Sequence, residues 1–195
     1  MTKKYHNWYK GVHISHPKEI GPVFEKFLKD FDTIIEIGTY VGGLTIWMRD
    51  KTNAKILTYD LINPSQRTDT DVIPDVNNVF KSNNIDFFLG SCFDMEAKIA
   101  DQIKKGKRCL LLCDGGDKIK EFQTFSKHLK PSDVIMAHDY AETGVEFDQH
   151  ASRLGWKFDY EIAIDHIEDL IKEQELKKYE YHTELKHVFW GAWIK

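Results

Sequence analysis

Two acid-bearing turns hold the residues most able to do chemistry. LLLCDGGDK places Asp114 at the end of an apolar run, with Lys118 four residues later, and VIMAHDY places His138 and Asp139 at the end of another. If both runs are neighbouring parallel strands, they end side by side, so Asp114, His138 and Asp139 converge above one edge of a sheet. Two carboxylates there suit Mg²⁺, which takes oxygen ligands and keeps several waters, whereas an imidazole suits Mn, Fe, Co or Zn better. His138 therefore has three readings: metal ligand, general base, or a structural or substrate-contacting histidine. Lys118 would take a proton only if burial and nearby charge tuned it; the plainer reading is an exposed lysine at a helix start.

Three further turns suit ligand binding. In IIEIGTYVGGLTIWM, residues 34–48, a buried strand ends at Glu36, turns through Gly38, Thr39, Tyr40, Gly42 and Gly43, and enters an apolar helix. The glycines let backbone approach a ligand, and the helix start offers free N–H groups. A dinucleotide fingerprint needs glycine two residues after the first, and that position is Tyr40, which argues against NAD. Glu36 better suits a ligand carrying an amino group and positive charge. KILTYD ends at Asp60, about twenty residues on, where an acid holds a ribose diol in such folds. IDFFLGSCFD follows a strand with Gly90, Ser91, Cys92 and Phe93, which could border an adenine ring. Each turn alone also fits ordinary structure. Together they fit a nucleoside-bearing cofactor lying across the first three strands.

The elements that must position these residues are legible as short apolar runs. Thr33–Ile37, Lys55–Tyr59, Ile85–Leu89, Arg108–Cys113 and Asp133–Ala137 lack polar alternation, as strands buried on both faces do. Between or before them, Pro17–Asp30, Asp94–Lys105 and Asp117–Lys130 carry apolar residues at helical spacing. Alternating strands and helices predict a parallel sheet. The ending differs: Trp156–Ile164 and His187–Ile194 read as closing strands around a charged helix, Asp165–Lys178. Leu61–Val79, broken by Pro64 and Pro74, and Tyr140–His150 read as polar loops able to cover an acceptor. His6, His13 and His16 lack metal-type spacing and are expected on the surface. Trp156, Trp190 and Trp193 are expected in the core. Glu168–Glu180 reads as a solvated helix face, with Leu170, Ile171 and Leu176 as the alternative contact of a homo-oligomer.

Composition narrows the class. Of 195 residues, 42% are hydrophobic and 13% aromatic, which supports a real core and one domain over residues 1–195. A net charge of −4, with no basic stripe, gives no reason to expect nucleic acid or an anionic membrane as partner. Cys92, Cys109 and Cys113 are an odd set in or near apolar runs and read as reduced thiols. The segment MTKKYHNWYKGVH lacks a signal peptide's apolar stretch, so the expectation is a cytoplasmic protein.

EIGTYVGGLT resembles the glycine-rich motif of class I S-adenosylmethionine-dependent methyltransferases. Its wording is most similar to the metal-associated O-methyltransferases: the catechol, macrocin and rhamnosyl O-methyltransferases and the cephalosporin hydroxylase-like proteins. The resemblance runs from about Trp8 to Lys195. It implies a Rossmann-like α/β fold: a seven-stranded, mostly parallel sheet with helices on both faces and a closing antiparallel strand. By that resemblance Glu36, Gly38 and Thr39 face the methionine part of S-adenosylmethionine, Asp60 binds the ribose, and Ser91 and Cys92 border the adenine. Asp114 and Asp139 match the acids that hold a divalent metal, while His138 stands where an acid is usual. The implied reaction is methyl transfer to a hydroxyl of a small molecule, such as a sugar, phenol or natural product. A metal-dependent oxygenase is the alternative enzyme, ranked lower because its facial triad has two histidines and one carboxylate, whereas His138 with Asp114 and Asp139 shows the reverse composition. A non-catalytic S-adenosylmethionine-binding protein is the alternative without turnover.

Overall fold

In a computed structural model that describes residues 7–67 and 76–195, the five apolar runs form the parallel centre of a seven-stranded sheet. In chain order the elements begin β1 (Asn7–Tyr9), β2 (Val12–Ile14), α1 (Ile20–Phe24), β3 (Thr33–Ile37), α2 (Gly43–Lys51), β4 (Lys55–Asp60), α3 (Val76–Ser82) and β5 (Ile85–Leu89). They continue α4 (Glu96–Lys105), β6 (Cys109–Cys113), α5 (Lys118–Ser126), β7 (Val134–His138), β8 (Tyr140–Ala141) and α6 (Gly144–Leu154). The last are β9 (Ile162–Ala163), α7 (Ile164–Glu173), β10 (Lys177–Lys178), α8 (His182–Lys186) and β11 (Trp190–Ile194). The sheet order is β10-β11-β7-β6-β3-β4-β5, with β11 antiparallel to both its neighbours. The order reverses between β3 and β6, the switch point at which open α/β sheets bind ligands.

Successive side chains of a strand point to opposite faces, and here both faces are covered. Ile34, Leu110, Leu112, Val134 and Met136 join one apolar cluster with α1, α2 and Trp190. Ile35, Ile37, Leu111, Ile135 and Trp193 join another with α4, α5 and α7. All three cysteines are free and buried in the second cluster.

Several expectations need correction. Trp156–Ile164 adds no strand to the main sheet. Residues 157–161 are exposed, and the N–H groups of Glu161 and Ile162 bond to the Asp139 carbonyl (2.9 and 3.3 Å), which draws the segment over the end of β7. The partner of β11 is instead β10, because the expected helix 165–178 stops at Glu173 and Glu175 turns left-handed at φ 52°. Pro17–Asp30 holds only the short α1 and a 3₁₀ turn, Leu28–Asp30; Gly21 and Pro22 are poor helix formers, while Phe24, Phe27 and Leu28 stay buried. Tyr140–His150 is β8 and most of α6, whose Thr143 side chain accepts from the Glu146 N–H at 3.1 Å. The expected loop Leu61–Val79 contains a 3₁₀ turn, Pro64–Gln66, and the start of α3, and its residues 68–75 lie outside the described residues. Leu170, Ile171 and Leu176 pack on the chain's own core. Among the described residues no helix is long and apolar enough to cross a membrane.

Candidate active site

A cleft of about 450 Å³ opens at the carboxyl ends of the strands flanking the switch point. Gly38, Tyr40, Asp60, Ser91, Cys92 and Asp114 line it. Gly38 has φ +95°, and a Cβ there would lie 2.1 Å from the Asp114 carbonyl oxygen, so only glycine lets the two strand ends approach so closely. Asp60 accepts from the N–H groups of Tyr40 (2.7 Å) and Ile62 (2.9 Å) and from Arg67 Nη2 (3.0 Å). The Arg67 guanidinium also lies 4.8 Å from the Tyr40 ring centre.

The other residues expected around a cofactor stand behind this wall. Glu36 is 1% exposed and does not line the cleft; its Oε2 accepts from Thr45 and Thr58 hydroxyls, each at 2.5 Å. Thr39 is buried, its hydroxyl 2.6 Å from that of Thr58. Gly42 backs onto Phe80, and Gly43 onto the backbone of His13, where a Cβ would lie 2.0 Å from the carbonyl oxygen. Burial pushes the Glu36 carboxyl up to about 8, against the two hydroxyl bonds that favour its ionised form. Burial likewise raises Glu121, which borders the cleft and accepts from the Gly115 and Asp117 N–H groups, to about 7.

Asp114 borders the cleft on one side and a buried polar cluster on the other. Its Oδ1 lies 3.0 Å from His138 Nδ1 and its Oδ2 lies 3.1 Å from His16 Nε2. The two imidazoles meet at 3.2 Å through His16 Nδ1 and His138 Nε2. His138 Nδ1 also lies 3.4 Å from Asp139 Oδ2, and Lys118 Nζ sits between that oxygen (3.4 Å) and Glu161 Oε2 (2.6 Å). Trp190 and Trp156 wall the His138 ring, with centroids 4.9 and 6.0 Å away. Asp139 holds this place from a left-handed backbone, φ 52°, a conformation that non-glycine residues rarely adopt.

Charge in the cluster follows from these contacts. Burial opposes charge on His138, but Asp139 and Asp114 outweigh it and lift the imidazole to about 9. Burial and the neighbouring His138 lower His16, which the attraction of Asp114 only partly offsets. Burial opposes ionisation of Asp114 and Asp139 too; the pull of His138 on both, joined by His16 at Asp114 and Lys118 at Asp139, holds them below their usual range. At neutral pH one hydrogen-bond pattern fits: protonated His138 donates to Asp114 and to His16, and neutral His16 donates from Nε2 to Asp114. Lys118 is raised despite its burial by Asp114, Asp139 and Glu161, so it is a buried cation and no exposed helix-start residue.

His16 is the residue that sequence reasoning missed. It is 4% exposed, as His13 is 7%, so neither is a surface residue; His6 lies outside the described residues. The one local signal was the i, i+3 pair before Pro17, and nothing local ties it to His138, 122 residues away. Glu161, beside Lys118, came from a stretch expected to be a strand.

No protein-family model matches the sequence, and no curated protein matches it. Solved structures do. CmcI in an apo form superposes with a TM-score of 0.65 at 14% identity, over 97% of this chain and 76% of that one. CmcI with Mg and SAM gives 0.60 at 15% identity, over 95% and 76%. An O-methyltransferase from Bacillus cereus in complex with SAH gives 0.53 at 15% identity, over 90% and 79%. The chain therefore has the class I methyltransferase fold, seven strands in mostly parallel order with an antiparallel closing strand, as its glycine motif implied.

Proposed function

We propose that this protein is an S-adenosylmethionine-dependent methyltransferase acting on a hydroxyl of a small molecule. The observation that carries the reading is Asp114, which borders both the cleft at the switch point and the buried cluster, so a cofactor and an acceptor would meet across one residue. The cleft volume of about 450 Å³ lies within the usual range for a small-molecule site. Its neighbours in structure space include proteins solved with SAM or SAH.

S-adenosylmethionine, when bound, supplies an electrophilic methyl group for in-line displacement. Asp60 would hold the ribose hydroxyls, which requires Arg67 to share or release it. Ser91 and Cys92 would border the adenine. Gly38 and Tyr40 would shape the wall facing the methionine part, with Glu36 and Thr39 supporting them from beneath. The acceptor oxygen must be aligned, relieved of its proton and kept from water. Trp156 and Trp190 exclude water around His138. His138, protonated, donating to Asp114 and His16 and ion-paired with Asp139, is not free to accept a proton as the cluster stands, which disfavours it as the base. The donor set of imidazole nitrogens and carboxylates fits a divalent metal, which would replace that proton and lower the hydroxyl's pKa. His16 also supplies the second histidine that the oxygenase alternative lacked, and iron-dependent oxygen uptake separates that reaction from methyl transfer.

The test is thermal unfolding with S-adenosylhomocysteine, with NADH as control. Ligand at a hundredfold excess over Kd stabilises by about 2.7 kcal/mol, or about 5–10 °C in Tm for a chain of this size. No shift at saturation, or an equal shift with NADH, overturns the cofactor assignment.

A further inference from the structure

The cluster at Asp114 is richer in nitrogen than the oxygen-lined site that the motif resemblance implies. One ligand atom each from His16, Asp114 and His138 lies within 4.8 Å of the others, and His16 and His138 are both buried, at 4% exposure. Asp139, 8% exposed, stands beside them with its Oδ1 buried and without a hydrogen-bond partner. The same three side chains bond to one another as they stand, so a potential ligand atom of each already lies close to those of the other two.

His16 is placed there by packing. β2 lies with its backbone against Gly43, and the His16 ring rests 5.6 Å from Trp190 and 4.3 Å from His138 by centroid. Two imidazoles with one carboxylate favour borderline ions such as Co²⁺, Zn²⁺ or Fe²⁺; Mg²⁺ prefers oxygen ligands and retained water. We propose that His16, Asp114 and His138 form a two-histidine, one-carboxylate centre that binds a borderline transition metal in preference to Mg²⁺, with His16 of the N-terminal segment as a ligand. The inference rests on the methyltransferase reading only for what the metal would serve, because Asp114 is shared with the cleft.

The experiment titrates the metal-free full chain with Co²⁺, read by visible absorption and by calorimetry, with S-adenosylhomocysteine melting measured in parallel. One Co²⁺ per chain is expected, displaced by Zn²⁺ and not by millimolar Mg²⁺, with paramagnetically shifted proton resonances from two imidazoles. His16→Gln should weaken Co²⁺ binding by about 100-fold or more, because loss even of a group that only supports a ligand costs 10–100-fold, and should keep the S-adenosylhomocysteine shift. Unchanged Co²⁺ affinity in His16→Gln, shifted resonances from one imidazole only, or equal competition by Mg²⁺ would each overturn the centre. The resonances and the competition use the unaltered chain, so they stand if the variant folds poorly. Absence of Co²⁺ binding with the S-adenosylhomocysteine shift intact leaves a hydrogen-bonded triad only and sinks the metal alone. Co²⁺ binding without that shift sinks the methyltransferase reading and leaves the centre.

Discussion

Glu36 shows how the fold changes what a residue type means. Its position on a strand leading to a glycine turn invites a charged role, yet burial lifts its pKa to about 8, so at neutral pH it is mostly protonated. A carboxyl raised in the folded state stabilises fully below its unfolded value of 4.5, and that stability is lost as pH rises through 8. Denaturant midpoints of the wild type should therefore fall between pH 6 and 8.5. Glu36→Gln, which mimics the protonated form, should remove this slope and be more stable at the higher pH by roughly 1–2 kcal/mol. Equal slopes in both proteins would show that Glu36 ionises normally. The residue types at Glu36, Asp60, Asp114, His138 and Asp139 were legible as strand-end chemistry. That Glu36 lies beneath the cleft, and that Lys118 is a buried cation, was not, because burial is a property of neighbours.

At the scale of elements, two glycines couple distant segments. Gly38→Ala would set a Cβ against the Asp114 carbonyl and require a left-handed alanine, costing about 2 kcal/mol or more. S-adenosylhomocysteine binding should weaken with it, because the two strand ends must separate. Gly43→Ala would instead push on the His13 carbonyl and loosen the β1–β2 hairpin, at a cost of about 1–3 kcal/mol. Hydrogen exchange should then rise in residues 7–16 and not in β3–β6; unaltered exchange there would mean that the hairpin is held by other contacts. The sequence marked these glycines for ligand approach. At Gly42 and Gly43 the structure shows a packing requirement, which a glycine spacing does not distinguish from a ligand's.

Across the whole molecule, two apolar clusters share one sheet, so we expect the chain to unfold in a single transition. Trp193 tests this from the closing strand: its ring meets Phe122, Tyr140 and His182 with centroids 5.1–5.2 Å away. Trp193→Ala should lower stability by about 3–5 kcal/mol without splitting the transition. Two separate transitions, by fluorescence and circular dichroism, would show that the two faces fold independently. What the sequence determined alone is the five parallel strands, the helices that follow β3, β5 and β6, and the strand ends with their acids, because periodicity and strand-end turns act within a few residues. Only the tertiary structure decided that β10 closes the sheet, that residues 157–161 cross over β7, and that His16 joins Asp114 and His138. Those outcomes depend on which buried surfaces meet across long stretches of chain, and no local pattern encodes such a meeting.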